Sequence, residues 1–586
     1  MRMKPLKRTL PLLLALLLPA CASVKPQIPA ATLDKAVASD AAASAAANEA
    51  SLPKLELTPE IVYGVLAGEI AARRGASGSA ALTYLDLARQ TRDPRMAQRA
   101  AEFSLLSGLL KEASESLSLW IELDPNSLPA REQLFITLLR SGKLADSKPL
   151  IEDLLAREPQ RAPAIFVQLA RLTMRQDGKA DAYRLVSQLA ERYPDLPEAR
   201  FALLAVAAEN NDAAAMQREF DRLAIIAPKW DLPVAWQVDR LRRQDMAQAS
   251  DFLKRELARR PDAGMELKMA YPRLLVGAKR FPEARQAFEA LLQNNPDNQD
   301  LLYAAGLLAY QLKDLDVAEQ RLEKVLKQPT PFREADFVRY TMGQIKEDRH
   351  DPAAARDWYQ QVGAGPQFLP SQVRLAVLDA DDGKLDPALA RLSALGDNDQ
   401  ERVSLALLQS QLARDAKQYR QAYDLLTRAL QRQPKAGELL YERSLVSDTL
   451  GNIGNAERDL RQLLKDKPDD VQALNALGYM LANRTHRARE ALGYIEKALK
   501  GDPANPVILD SMGWVQYKLG KLDAARKYLE KAYKALPDPE VAAHLGEVLW
   551  KLGQQQAARD LWRKELAAHP GHEVLTETMQ RLTGKS

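Results

Sequence analysis

The chain has 586 residues, 82 Lys and Arg against 78 Asp and Glu, five His and one Cys. Four of the basic residues, Arg2, Lys4, Lys7 and Arg8, open the chain, so the remainder balances at 78 basic against 78 acidic. That composition supplies no net basic face for nucleic acid, and one cysteine excludes an internal disulfide.

The basic residues precede an apolar run from Leu10 to Leu18. Basic, then apolar, then small is the pattern of a secretory signal, and the run is too short to span a bilayer. It ends in Leu18-Pro19-Ala20-Cys21, which resembles a bacterial lipobox. The resemblance implies that residues 1–20 are a lipoprotein signal peptide and that Cys21 is lipidated and becomes the mature N-terminus. Ser23, rather than Asp, stands two residues after it; among such lipoproteins this implies sorting to the outer membrane, facing the periplasm. Residues 21–56 are rich in Ala, Ser and Pro and read as a disordered tether. About 30 such residues give a root-mean-square reach of roughly 30 Å.

From residue 57 the pattern changes to helical hairpins. The stretch Pro506 to Pro537 shows one whole unit. A first helix carries Leu509, Met512, Gly513 and Val515. Gly520 follows as a C-terminal stop, because glycine takes the left-handed conformation without a Cβ clash. Asp523 is expected to cap the second helix. That helix places Ala525, Leu529 and Ala532 on one face, with Glu530 four before Lys534 on the other, and Pro537 ends it. Gly513 and Ala525 are small enough to let the helices approach, and Leu529 fills the gap beside them.

Terminal prolines repeat this unit. Pro125, Pro159, Pro194, Pro228, Pro261 and Pro296 are separated by 34, 35, 34, 33 and 35 residues. Pro434, Pro468, Pro503, Pro537 and Pro570 are separated by 34, 35, 34 and 33. The second-helix alanine recurs at Ala113, Ala182, Ala249, Ala284, Ala318, Ala354, Ala422, Ala456, Ala491 and Ala558. A bulky partner stands four later, from Leu117 through Trp358 to Trp562, and turn glycines fall at Gly142, Gly178, Gly383, Gly451, Gly520 and Gly553. Small, Ala, bulky, Ala, Pro at this period resembles the tetratricopeptide repeat. The resemblance implies an all-α, right-handed superhelical solenoid of about fifteen hairpins over residues 57–573. The unit at 369–402 has the weakest pattern. Residues 574–586 complete the chain as a capping helix and tail.

Little here carries chemistry. His569, His572 and Glu573 are too few for a metal site of fixed geometry. His350, His486 and His544 are isolated and expected at surface or turn positions. No Gly-x-Ser-x-Gly elbow occurs, and with Cys21 lipidated no nucleophilic cysteine remains. The repeats leave no block for a catalytic domain, so no enzyme activity and no cofactor are expected. The better candidates are groove-facing residues of late first helices: Asn475, Tyr479, Asp510, Trp514 and Tyr517. Exposed aromatics in a groove suit peptide binding; ordinary packing between repeats explains them equally well. The Lys-and-Asn clamp for a terminal carboxylate is not found.

The opening of the repeats narrows the resemblance. Leu57-Thr58-Pro59-Glu60 leads into Leu66, Glu69, Ile70 and Ala71, then Arg74-Gly75. Tyr84, Leu87-Ala88, the run Thr91-Arg92-Asp93-Pro94 and Arg99-Ala100-Ala101-Glu102 follow. Asp93 should cap the next helix and Pro94 open it. This combination looks like the start of the large outer-membrane tetratricopeptide lipoproteins of proteobacteria of the LbcA type. The resemblance implies a non-catalytic, membrane-anchored adaptor. Its partners would be a periplasmic carboxyl-terminal processing protease and that protease's substrates, such as peptidoglycan hydrolases. The alternative is an assembly factor for an envelope machine, a pilus secretin or a polysaccharide exporter.

Overall fold

The computed structural model describes residues 52–53, 55–173 and 178–584. The signal peptide, Cys21 and nearly all of the tether lie outside the described residues. Among the described residues there are 31 α-helices, one 3-10 turn at Pro159–Arg161 and no strand. The helices pair in sequence into fifteen hairpins, from Pro59–Arg73 with Ser77–Thr91 to Pro539–Lys551 with Gln555–Ala568, and Glu573–Thr583 follows alone. The tetratricopeptide solenoid architecture is therefore present along the chain.

The second helices share one internal register. Counted from the first helical residue, the fourth is small and buried and the eighth is bulky and buried, except in Ala213–Ile226, whose fourth residue is the half-buried Met216. Ala80 and Tyr84, Ser147 and Ile151, Ala388 and Leu392, and Ala525 and Leu529 all obey it. Ala80, Ser147 and Ala388 supply three units that the alanine series missed. One expected pair is shifted. Asp351 caps the Pro352–Gln360 helix and Pro352 occupies its first turn, so the fourth and eighth residues are Ala355 and Tyr359. These are fully buried, and Ala354 and Trp358 are only partly so. The cap sets the register, not the nearest alanine.

Gly513 shows why the first helices carry a small residue. A β-carbon there would stand 2.5 Å from Leu529 Cγ and 3.2 Å from the Ala525 carbonyl oxygen. Gly520 has φ +78°, and its N–H donates to the Tyr517 carbonyl while Lys521 N–H donates to that of Gln516, the paired bonds that finish a helix. Gly142, Gly383, Gly451 and Gly553 share this conformation, whereas Gly178 has φ −83° and begins the next helix instead. Asp523 is not the cap expected of it: Lys521 holds that position without a side-chain bond. Asp523 lies in the first turn, where its charge still suits the helix dipole. Glu530 pairs back to Arg526 at 3.8 Å rather than forward to Lys534.

The chain forms two compact units, one through Leu308 and one from Ala309 onward. Within the first, a continuous apolar core runs from Phe135 to Leu274. Within the second, another runs from Ala376 to Val515. Each is built from successive hairpins, none of which buries its apolar face alone.

Candidate functional site

Two places stand out, one in each unit. The first is the opening helix Pro59–Arg73. Thr58 caps it by accepting from Ile61 N–H. Its inner face is set by two glycines. A β-carbon on Gly64 would stand 2.9 Å from Leu87, and one on Gly68 would stand 2.7 Å from the Tyr84 ring. Polar bonds pin the same side. Tyr84 O–H donates to Glu69 Oε1 at 2.8 Å, and Arg99 Nη2–H donates to the same oxygen at 2.9 Å. Those two donors, the tyrosine first, hold the Glu69 carboxyl below the usual range. Burial, and then the Glu69 bond, pushes the Tyr84 phenol up to about 12. Glu69, Tyr84 and Arg99, quoted from the opening motif for their resemblance, therefore meet as one triad. Asp93 accepts from Arg95 N–H and Pro94 opens that helix, as their order predicts.

The outer face of this helix is apolar too. Leu57 is 76% exposed and Tyr63 75%, and Leu55, Val62, Leu66 and Ile70 are exposed with them. Val62, Tyr63, Leu66 and Ile70 lie opposite the glycines at helical spacing. A terminal repeat of a solenoid needs a polar outer face to stay soluble; this one presents a contiguous apolar face of the kind that marks an interaction site.

The second place gathers four of the five predicted groove residues around a histidine. His544, which its isolation in the sequence places at a surface or turn position, is instead buried within a helix, at 7% exposure. Its Nδ1 lies 2.9 and 3.1 Å from the two carboxylate oxygens of Asp510. Its Nε2 lies 3.5 Å from the Tyr479 hydroxyl. The imidazole stacks on Trp514 with centroids 4.1 Å apart, and Trp514 stacks in turn on Tyr517 at 4.9 Å. Trp514 Nε1–H donates to Asn483 Oδ1 at 3.1 Å. Tyr517 O–H donates to Glu547 at 2.8 Å, and Arg581 closes on that carboxylate at 2.6 Å.

Trp514 and Asp510 are therefore not exposed groove residues: they are 6% and 9% exposed. The reason is geometric. Asp510 and His544 stand at the fifth and sixth positions of consecutive first helices, so they point at each other across the repeat boundary. Tyr479 and Tyr517 are half-buried, and Asn475 stands apart from the cluster, its Oδ1 buried without a partner. Asn483, His544, Glu547 and Arg581 are the members that sequence reasoning missed. Laying the first helices in register from their caps would have found the first three; Arg581 comes from the last helix, Glu573–Thr583.

His350 occupies a turn with φ +60° and His486 is exposed. His569 lies 4.0 Å from Glu565. Among the described residues, no three His, Cys, Asp or Glu side chains are grouped to hold a metal, and no helix is long and apolar enough to cross a membrane.

The sequence profile of the tetratricopeptide repeat matches residues 273–334, 448–506 and 511–573. The TPR repeat-containing protein PA4667 of Pseudomonas aeruginosa is 32% identical over 555 residues, 89% of this chain and 88% of that protein. The chain belongs to the tetratricopeptide-repeat family. Arrays of this family are scaffolds for protein–protein contacts, and no enzyme family is indicated. Cellulose synthase operon protein C of Pseudomonas fluorescens is 24% identical over 67% of this chain, which spans only 35% of that protein. Among solved structures, a tetratricopeptide repeat protein from Parabacteroides merdae aligns at TM-score 0.33 and 17% identity, over 49% of this chain and 99% of that one.

Proposed function

We propose that this tetratricopeptide-repeat protein is a lipid-anchored scaffold of the outer membrane, facing the periplasm. It holds a carboxyl-terminal processing protease and presents substrates such as peptidoglycan hydrolases to it. The observation that carries the reading is the outward apolar face of the first helix. Val62, Tyr63, Leu66 and Ile70 form an i, i+1, i+4, i+8 row that a partner can cover. The row sits within the opening motif on which the resemblance to LbcA-type adaptors rests. The lipobox-like run ending in Cys21 supports the same reading: an anchored tether would raise the effective concentration of bound partners without new contacts. Half-buried Tyr479, Tyr517 and Asn475 are the proposed contacts for a second partner.

A soluble form beginning after Cys21, immobilised and exposed to periplasmic extract, tests this. Mass spectrometry should identify a carboxyl-terminal processing protease together with cell-wall hydrolases. Leu66→Glu with Ile70→Glu should lose the protease while far-UV circular dichroism stays unchanged. Retention of the protease by that variant would move its site elsewhere. The likeness to cellulose synthase operon protein C favours a second reading, assembly of an envelope machine. Recovery of secretin or exporter subunits without any protease would establish that reading and overturn the first.

A further inference from the structure

We propose that His544 is a proton-dependent latch joining three consecutive repeats of the C-terminal unit. The observation is its position. One buried imidazole touches Tyr479 on Val471–Arg484 and both Asp510 and Trp514 on Pro506–Lys518, while itself belonging to Pro539–Lys551. A ring contact that skips a whole repeat is rare in an architecture built on nearest-neighbour stacking. Here Tyr479 and His544 are 65 residues apart.

The two protonation states bond differently. With one proton, Nδ1–H donates to Asp510 and Nε2 accepts from the Tyr479 hydroxyl. With two, both nitrogens donate. Nε2–H then turns to the Tyr479 oxygen, and the cation lies against the Trp514 face.

The charged surroundings are mixed, and their balance is resolved. Burial opposes the cation. Asp510 outweighs it by charge and hydrogen bond, Glu540 and Glu547 on the same helix add to it, and the His544 pKa is raised. Arg581 from the last helix neutralises part of Glu547. Lys518, 4.9 Å over the Trp514 ring, is a like charge beside the stack.

A histidine whose folded pKa is raised adds stability that is full below its unfolded value, about 6.5. That stability is lost as pH rises through the folded value. The three repeats should therefore be tied more firmly in mildly acidic than in alkaline solution.

The soluble form beginning after Cys21, labelled at its histidine rings, provides the test by NMR. The His544 signal is identified as the one absent from His544→Gln. It should titrate at higher pH than exposed His486, and Asp510→Asn should lower its midpoint. Amide exchange gives a second readout. Once corrected for intrinsic rates, protection of Val471–Arg484 and Pro539–Lys551 relative to Gly437–Thr449 should fall several-fold as pH rises through that midpoint. The fall should vanish in His544→Gln. A His544 that titrates at or below His486 would overturn the proposal, as would an unchanged pH profile of protection in His544→Gln. If His544→Gln does not fold, Asp510→Asn carries both readouts.

Discussion

Gly513 lies against Leu529 so closely that not even a methyl group fits between the two helices of their hairpin: a β-carbon on the glycine would be 2.5 Å from Leu529 Cγ. The same contact recurs between Gly478 and Ile495 at 2.6 Å, and between Gly546 and the Trp562 indole. Gly493, on the solvent side of its helix, has nothing within 4 Å. Four alanine substitutions should therefore differ in sign. Gly493→Ala should stabilise by about 0.5–1 kcal/mol through helix propensity. Gly478→Ala and Gly513→Ala should destabilise by roughly 1–3 kcal/mol through overpacking. Gly546→Ala should be the worst, because the indole is rigid and its Nε1–H is committed to the Ala542 carbonyl. Urea denaturation of the four variants checks the order, and equal effects at Gly493 and Gly513 would refute it.

The shifted register in the Pro352–Gln360 helix yields a second prediction. Tyr359 fills the space that Leu529 fills elsewhere, is fully buried, and donates to Glu347 at 2.7 Å. Tyr359→Ala should cost about 3–5 kcal/mol, the usual range for deleting a buried aromatic. Trp358→Ala should cost less than about 1 kcal/mol. Tyr359→Phe should fall between them, because it leaves buried Glu347 with Arg374 but without the phenol. A larger loss for Trp358→Ala than for Tyr359→Ala in thermal denaturation would restore the alanine-based register.

The contrast between Gly513 and His544 marks how far the sequence could be read. Gly513, Ala525 and Leu529 lie within one hairpin, so their helical spacing and proline-bounded period reveal the packing directly. His544 meets Asp510 from 34 residues away and Tyr479 from 65. Neither partner is visible until the first helices are aligned on their caps. Trp358 was misplaced for a related reason, since an alanine run offers several equivalent registers and only Asp351 with Pro352 distinguishes them. The outer face of the first helix shows a third limit. In the sequence Leu57, Leu66 and Ile70 mark only the opening motif, because a helix apolar on both sides gives no local sign of which side is covered.

Acid should loosen that first helix before it unfolds the array. Glu69 accepts from Tyr84 and Arg99 more strongly as a carboxylate than as a neutral acid, and those bonds depress its pKa. A depressed carboxylate gives stability that is present above its unfolded value, about 4.3. That stability is lost as pH falls through the folded value. Hydrogen exchange across Pro59–Arg73 should therefore rise, relative to Leu128–Arg140, as pH drops below about 4.3. Glu69→Gln should show the raised exchange already at neutral pH. Parallel exchange in both helices at every pH would assign Glu69 no such role.

At the other end, Glu547 should depend on the last helix for its charge. It is buried, accepts from Tyr517, and is paired with Arg581 of Glu573–Thr583. Removing the guanidinium leaves a buried carboxylate with one neutral donor, which costs more than the pair itself contributes. Arg581→Met should destabilise the C-terminal unit by roughly 1–3 kcal/mol, the lower part of that range being favoured because Arg581 is itself more than half exposed. Glu547→Gln alone should cost less, since an amide needs no countercharge. In the double variant Glu547→Gln with Arg581→Met, the glutamine should recover most of the loss. A double-mutant cycle by urea denaturation measures this coupling. Additive single effects would mean that solvent, not Arg581, neutralises Glu547.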